Sequence, residues 1–523
     1  MKRVLYGIIL LLFTASLSAE TEVGGSLKVD LRSLIKEPYC NFYNREDILT
    51  LKISSDVSDN VSIYASIQGR YFDRSNLVTF EDLKNRNSVD PFSVDLWESY
   101  ISISSFIFDN MDAVIGKQIV EWGTADMLNP TSNLNPHDLS DPLDFSKRLP
   151  ITMFNFTYYP PWNQFNAVQF IWIPAHKPAL MPPGEMPMMK MDVPTPPDLE
   201  AMNNLNIANN PMASKMEISS SLNQYVHHNP FYPKYSEGGI RLSLNFFQTD
   251  FHLSYFNGYG EFPLPAKAEI RIANESEINS IIQNALKDVA PGDNLGTMLA
   301  LATIEKIPVD IESNITLVYP HYHVVGADFK ADISGVGVWG EAGYFIPYEL
   351  DITYIYPDFQ WMMNNELNYI VQNREFGVRY KSAKYPVLDK PFLKYTIGAE
   401  YIFKGGYHFE AQFAHGFFFE QGSQNLNNYL MLELDKSFME GKFKLTLSGG
   451  GSVEGGTFAY FLKNFKLPED LSTGAFGGPR LDYYPYDGIT VTLGAIFLGG
   501  SGNSFFAKMK KMEQIFLQLE SSF

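Results

Sequence analysis

Residues 407–413 read Tyr407-His408-Phe409-Glu410-Ala411-Gln412-Phe413, apolar at the odd numbers and polar at the even ones. Successive side chains of an extended chain point to opposite faces, so this stretch builds a strand with one greasy and one wet surface. The same period of two recurs elsewhere. Phe443, Leu445 and Leu447 alternate with Lys442, Lys444, Thr446 and Ser448; Ile240, Leu242, Leu244 and Phe246 alternate with Arg241, Ser243 and Asn245. Val61, Ile63, Ala65 and Ile67 alternate with Ser62, Tyr64, Ser66, Gln68 and Arg70. A final run of Ile515, Leu517, Leu519, Ser521 and Phe523 carries the pattern to the last residue. A soluble sandwich uses the same alternation. Aromatic residues near the strand ends favour a barrel that faces lipid instead.

Composition narrows the class. Aromatics make up 15% of the chain, with 40 Phe and 30 Tyr. Past the N-terminus there is no run of about 18 apolar residues that would span a membrane as a helix. The N-terminus itself reads as a cleaved secretory signal over residues 1–19. Lys2 and Arg3 are followed by the apolar stretch from Val4 to Leu17, with Ser16, Ser18 and Ala19 as small residues before Glu20. The exported chain is then 20–523, one barrel bound for the outer membrane. A lone cysteine, Cys40, forms no internal disulfide. The net charge of −19 argues against non-specific nucleic-acid binding. The strand closing on Phe523 resembles the terminal signal read by barrel-insertion machinery, an expected partner beside outer-membrane lipid.

Connection lengths orient the barrel. Short ones at 56–60, 160–163, 248–249, 334–335, 404–406, 439–441 and 486–488 belong in the periplasm. Long ones at 75–90, 123–148, 174–236, 257–310, 347–369 and 452–477 belong outside. The expected fold is all-β: a transmembrane antiparallel β-barrel of about 18 strands, with 16 as the alternative count. Tyr369–Tyr395 fits this count poorly and is read as an outward extension of the strand reaching Phe403. The polar positions of the strands supply the pore-lining candidates. They are Gln68, Arg70, Arg241, Asn245, Glu375, Arg379, Glu400, Glu410, Gln412, Glu433, Asp435, Lys442 and Lys444.

Two external segments are unusual. Within 174–236, residues 175–197 are crowded with Pro and Met, including Met181, Met186, Met188, Met189 and Met191. Proline excludes regular structure and methionine adapts to irregular apolar surfaces. This segment is expected either to constrict the pore or to fold inward and pack the lumen. Within 257–310, the spacing of Ile278, Ile281, Ile282, Ala285, Leu286 and Val289 predicts an amphipathic helix. Asn274 or Ser276 would cap it and Pro291-Gly292 would end it, with a second short helix over Leu295–Ile304. A lid, a plug and an interfacial element are all open to such a hairpin.

Several short motifs resemble one family. Gly116-Lys117-Gln118, Trp122-Gly123, Asn129-Pro130 and Asn135-Pro136-His137-Asp138 are similar to a strand and following loop of alginate-export-like outer-membrane barrels. Tyr319-Pro320, Gly326-Ala327-Asp328, Gly340-Glu341-Ala342 before Tyr344, Gln412 with His415-Gly416-Phe417, and the tail from Leu517 to Phe523 add to the likeness. The resemblance implies a large barrel of Gram-negative bacteria, with loops folded over or into the pore. It does not identify a substrate. Export of a polyuronate calls for a dense basic constriction, whereas the candidate lumen positions here mix both signs.

Catalysis is not expected. His321, His323 and His408 have no nucleophile motif beside them, and no Gly-x-Ser-x-Gly, His-Glu-x-x-His or phosphate-cradling loop occurs. His321 and His323 share one strand face and read as lumen-facing hydrogen-bonding residues rather than metal ligands; His227-His228 is a loop pair of the same kind. Asp126, Asp138, Asp141 and Asp144 read as a solvated acidic loop, with a Ca²⁺ site as the sharper alternative. No cofactor is expected. The expected function is a passive channel for a small organic or partly hydrophobic solute. The alternatives are export of an alginate-like polysaccharide and a non-transport surface-binding barrel.

Overall fold

A computed structural model describes residues 20–35, 42–72, 84, 91–125, 128–140, 144–161, 165–181, 195–197, 216–227, 233–246, 249–453, 474–500 and 505–523. Along them run β1 (Glu20–Leu34), β2 (Phe42–Ser58), β3 (Val61–Phe72), β4 (Phe92–Ile103), β5 (Met111–Gln118), β6 (Ile151–Tyr158), β7 (Phe165–Ile173) and β8 (Met216–His227). Next come β9 (Glu237–Phe246), β10 (Thr249–Tyr259), β11 (Leu264–Ile272), β12 (Ile307–Val318), β13 (His321–Ile333), β14 (Val336–Pro347), β15 (Leu350–Pro357) and β16 (Tyr380–Leu388). The last are β17 (Phe392–Phe403), β18 (Tyr407–His415), β19 (Asn428–Phe438), β20 (Phe443–Val453), β21 (Gly474–Tyr486), β22 (Ile489–Gly500) and β23 (Gln514–Ser522).

Eighteen of these form one antiparallel barrel. β23 pairs with β1 from Ser26↔Ser522 to Leu34↔Gln514, which closes the sheet and leaves no open edge. Phe523 extends that ladder, exchanging both backbone hydrogen bonds with Gly25. The outer face is apolar and exposed, as at Leu51, Phe170, Ile240, Leu253, Ile397, Leu432, Leu447 and Leu519. Apolar surface on that scale around a closed barrel faces lipid. No helix among the described residues is long and apolar enough to cross a membrane. The short-turn end holds the short connections at 56–60, 334–335, 404–406, 439–441 and 486–488; those at 160–163 and 248–249 lie partly outside the described residues. It also holds the β4–β5 turn, which alternation alone did not expose.

The other five strands lie in stretches read from the sequence as long external connections or, for Tyr369–Tyr395, as an outward extension of the strand reaching Phe403. That last stretch instead ends a helix and forms β16 of a separate sheet. In the order β16-β15-β11-β12-β8 they build a second, mixed sheet from chain that runs past the rim of β9, β10, β13, β14 and β17. Bulges at Pro265/Lys267 and Leu350/Asp351 interrupt their register near the rim. Its apolar side buries Ala268, Ile352, Tyr354 and Tyr356. Three helices cover the rest: α1 (Glu275–Ala285), α2 (Asn294–Thr303) and α3 (Phe359–Asn373). Ile278, Ile282 and Leu286 pack on Ile307 and Val309 of β12, as the amphipathic spacing predicted. Asn274 precedes α1 without capping it by a side-chain bond. It clamps β12 instead, through Pro308 O at 3.0 Å and Asp310 N at 2.9 Å. α1 ends at Ala285, ahead of Pro291.

Candidate functional site

The described residues of the connection from β5 to β6 (119–150) do not stay outside. Asn135 sets their path: its Oδ1 accepts from Val120 N, and its Nδ2 donates to Gln118 O and Leu149 O. One buried amide thereby ties the departing and returning chain together. Trp122 follows, fully buried, its Nε1 donating to Gln169 Oε1 of β7 at 2.8 Å. The indole lies against Gly239 of β9, where a Cβ would sit 2.6 Å from its Cη2. Gly123 then turns with φ +87°, a left-handed conformation that glycine adopts without strain. That turn aims Thr124 N and Ala125 N at the carboxylate of Glu341 on β14, at 2.8 and 3.2 Å.

Further contacts carry the loop around the interior. Thr396 of β17 donates its hydroxyl to Leu128 O at 2.9 Å. Asp138 pairs with Lys147 at 2.8 Å and lies 3.8 Å from Arg70 of β3. His137 accepts no water-facing role: it is buried, 2.7 Å from Glu261, with its ring stacked on Phe418 at 4.3 Å. Lys394 of β17, also buried, donates to Phe417 O and Phe418 O. Between loop and wall remains a cavity of about 80 Å³, lined by Ser132, Phe256, Tyr322 and Lys394 among others. A void of that size holds several water molecules. The loop thus touches β3, β7, β9, β14 and β17, and spans the lumen.

The structure brings most of the predicted polar positions to the inner face. Arg70 donates to Gln68 at 3.0 Å and lies 3.6 Å from Glu46. Arg241 lies 3.6 Å from Asp328, which His252 also contacts. His408 bridges Asp435 at 2.8 Å and Glu400 at 3.2 Å, and Lys444 reaches Asp435 at 3.3 Å. Glu410 and Gln412 are buried, and Glu433 is half-buried on the face shared with Asp435. Asn245 is exposed near the β9–β10 turn and donates to Asp250.

Other positions are corrected. Glu375 and Arg379 are not in the barrel wall. α3 ends at Arg374 in a left-handed cap, and the chain then runs to β16 of the second sheet. There Glu375 accepts from Tyr369, and Arg379 lies over the Trp361 ring at 4.3 Å. Lys442 is in the β19–β20 turn, outside the strand that starts at Phe443. His321 and His323 face outward, because Tyr322 between them and Val324 after them belong to the inner core. The described part of 123–148 is an inserted loop rather than a solvated one: Asp138 is buried in ion pairs, while Asp144 accepts from Ser146. Met181 is exposed; the adjoining Leu180 exchanges backbone hydrogen bonds with His137 and Leu139 of the inserted loop. Met186, Met188, Met189 and Met191 lie outside the described residues, as do Asp126, Asp141 and residues 1–19.

Glu341, Glu261 and Lys394 escaped the sequence reading as site residues. The available signal was the density of Trp, Asn, Pro and His between Trp122 and Asp138, a stretch too rich in specific hydrogen-bonding types for a solvent loop.

Several solved structures are similar in architecture. OccAB3 of Acinetobacter baumannii is 8% identical over 97% of this chain and 99% of that one, with a TM-score of 0.44. The outer membrane protein OpdK of Pseudomonas aeruginosa is 9% identical over 97% and 98%, with a TM-score of 0.43. OprB of Pseudomonas putida is 11% identical over 99% and 96%, at 0.38. No family model matches the chain, and no curated protein matches its sequence. The alginate-export-like resemblance therefore has no family match beside it.

Proposed function

We propose that this chain is an outer-membrane channel for passive passage of small organic solutes, narrowed by the 119–150 loop. The path of that loop carries the reading. It crosses a closed barrel that is apolar outside, packs on an inner apolar cluster that includes Phe256, Tyr322 and Phe345, and is pinned by hydrogen bonds to strands on several sides. The Met/Pro segment read from the sequence as a constriction lies mostly outside the described residues, and its Leu180 is hydrogen-bonded to this loop. Support for a small solute over a polyanion comes from the wall charges. Arg70, Arg241, Lys444, Arg32 and Arg480 each have a carboxylate within 4 Å, so these cations do not form a free basic ladder.

Planar-bilayer recording of the purified barrel tests the reading. The wild type is expected to conduct, and a variant with 124–134 replaced by a short Gly/Ser linker is expected to conduct more. Silence from both variants would end the channel reading.

A further inference from the structure

The outward His321 and His323 belong to a cluster that the channel reading leaves unused. Below them on the same face of β13, Val325, Phe329 and Ile333 are exposed and form part of the lipid-facing belt. Tyr259 of β10 pairs directly with His321, and Tyr348 follows the end of β14. The cluster therefore begins where the apolar belt ends, at the rim carrying the long connections. It is continuous with the lipid interface and sits at the depth of headgroups.

Its geometry is specific. The His321 ring lies between two phenols, 4.6 Å from Tyr259 and 4.4 Å from Tyr348, with interplanar angles of 18° and 6°. His323 is bound at both nitrogens: Nδ1 to the Tyr255 hydroxyl at 2.7 Å and Nε2 to the Tyr348 hydroxyl at 2.9 Å. A neutral imidazole has one N–H and one lone pair. One phenol must therefore donate to the ring, while the other accepts from it and keeps its own O–H for an outside acceptor. Tyr255 and Tyr348 are both exposed, so that hydroxyl is accessible. The ring nitrogens of His321 have no hydrogen-bond partner among the described residues, which adds a second outward donor.

We propose that Tyr255, His321, His323 and Tyr348 bind the phosphate-bearing headgroup of a membrane lipid. Phosphate oxygens accept from the free phenol and from His321, and the stacked rings pack against the headgroup's carbon skeleton. A lipid is the occupant because the cluster continues a lipid-facing surface. The proposal rests on the barrel being membrane-embedded and not on its passing a solute, so a barrel without conductance leaves it standing.

Native mass spectrometry of the barrel in dodecyl maltoside micelles, titrated with dipalmitoyl phosphatidic acid, tests it. Dipalmitoyl glycerol supplies the same chains without phosphate, and inorganic phosphate supplies the anion without chains. The wild type is expected to hold phosphatidic acid about tenfold more tightly than the glycerol, the worth of one charge-assisted hydrogen bond. Tyr255→Phe with Tyr348→Phe, which keeps both rings, is expected to lose that preference. His321→Phe keeps the stack without its nitrogens and gives a second, independent variant expected to weaken binding. Tyr407→Phe with Tyr483→Phe at the opposite rim is expected to change nothing. Equal binding of both lipids by the wild type, or an undiminished preference in the folded double variant, overturns the proposal.

Discussion

Glu341 of β14 accepts the backbone N–H of Thr124 at 2.8 Å across 217 residues of chain. With Ala125 N at 3.2 Å, it holds the inserted loop to the far part of the wall by backbone donors alone. Removing the acceptor with Glu341→Ala leaves those donors unpaired, at a cost of about 1–3 kcal/mol. The loop is expected to detach there, raising single-channel conductance and its fluctuation. Glu341→Gln keeps one acceptor oxygen and is expected to lie between. An alanine variant with wild-type traces would remove Glu341 as an anchor.

Gly123 gives the same anchor its backbone geometry. An added Cβ would lie 2.3 Å from Glu341 Oε2 and 2.4 Å from Asn129 Oδ1, on a backbone with φ +87°. Gly123→Ala is therefore expected to destabilise the inserted loop by about 1–3 kcal/mol while leaving the barrel strands intact. Hydrogen exchange by mass spectrometry checks this. Peptides covering 120–135 should exchange faster, with no change in β17–β19.

Charge selectivity is expected to depend on Asp138. Its carboxylate is shared by Lys147 at 2.8 Å and Arg70 at 3.8 Å, inside the lumen. Asp138→Asn leaves two cations without that counter-charge, and the constriction becomes more attractive to anions. The reversal potential under a salt gradient should shift in the anion-selective direction. A shift toward cations would place the pair away from the permeation path.

Glu366 of α3 links the helical layer to pH. Burial raises its carboxyl to about 7, despite a hydrogen bond from Gly377 N, and Glu275 adds like charge nearby. A raised folded-state value means that the native layer prefers the protonated form. Its contribution to stability is fully present below the ordinary value of 4.5 and is lost as pH rises through about 7. Exchange protection of α3 is expected to be greater at the acidic end of that window than above it. Glu366→Gln, neutral throughout, should flatten the profile; an unchanged profile in that variant would locate the titration elsewhere.

The barrel was legible because lipid imposes its rule locally. Each strand must turn apolar side chains outward at every second residue, so stretches such as 407–413 and 443–448 declare their faces without reference to partners. The turn residues between them set the strand number, and Ile278, Ile282 and Leu286 declared their helix by the same kind of short-range spacing. Glu375 and Arg379 misled for a related reason: three alternating pairs look like a strand, although the residues follow a helix cap. Alternation also separates two faces without saying which one is inside, so it could not turn His321 and His323 outward.

The sequence by itself determined a closed, lipid-facing β-barrel, because that information lies in neighbours two residues apart. Only the tertiary structure decided what occupies and crowns it. The inserted loop is held by Glu341, Thr396 and Gln169, and the second sheet pairs β11 with β15 and β12 with β8. Those contacts join residues tens to hundreds of positions apart through hydrogen bonds that leave no periodic trace in the chain.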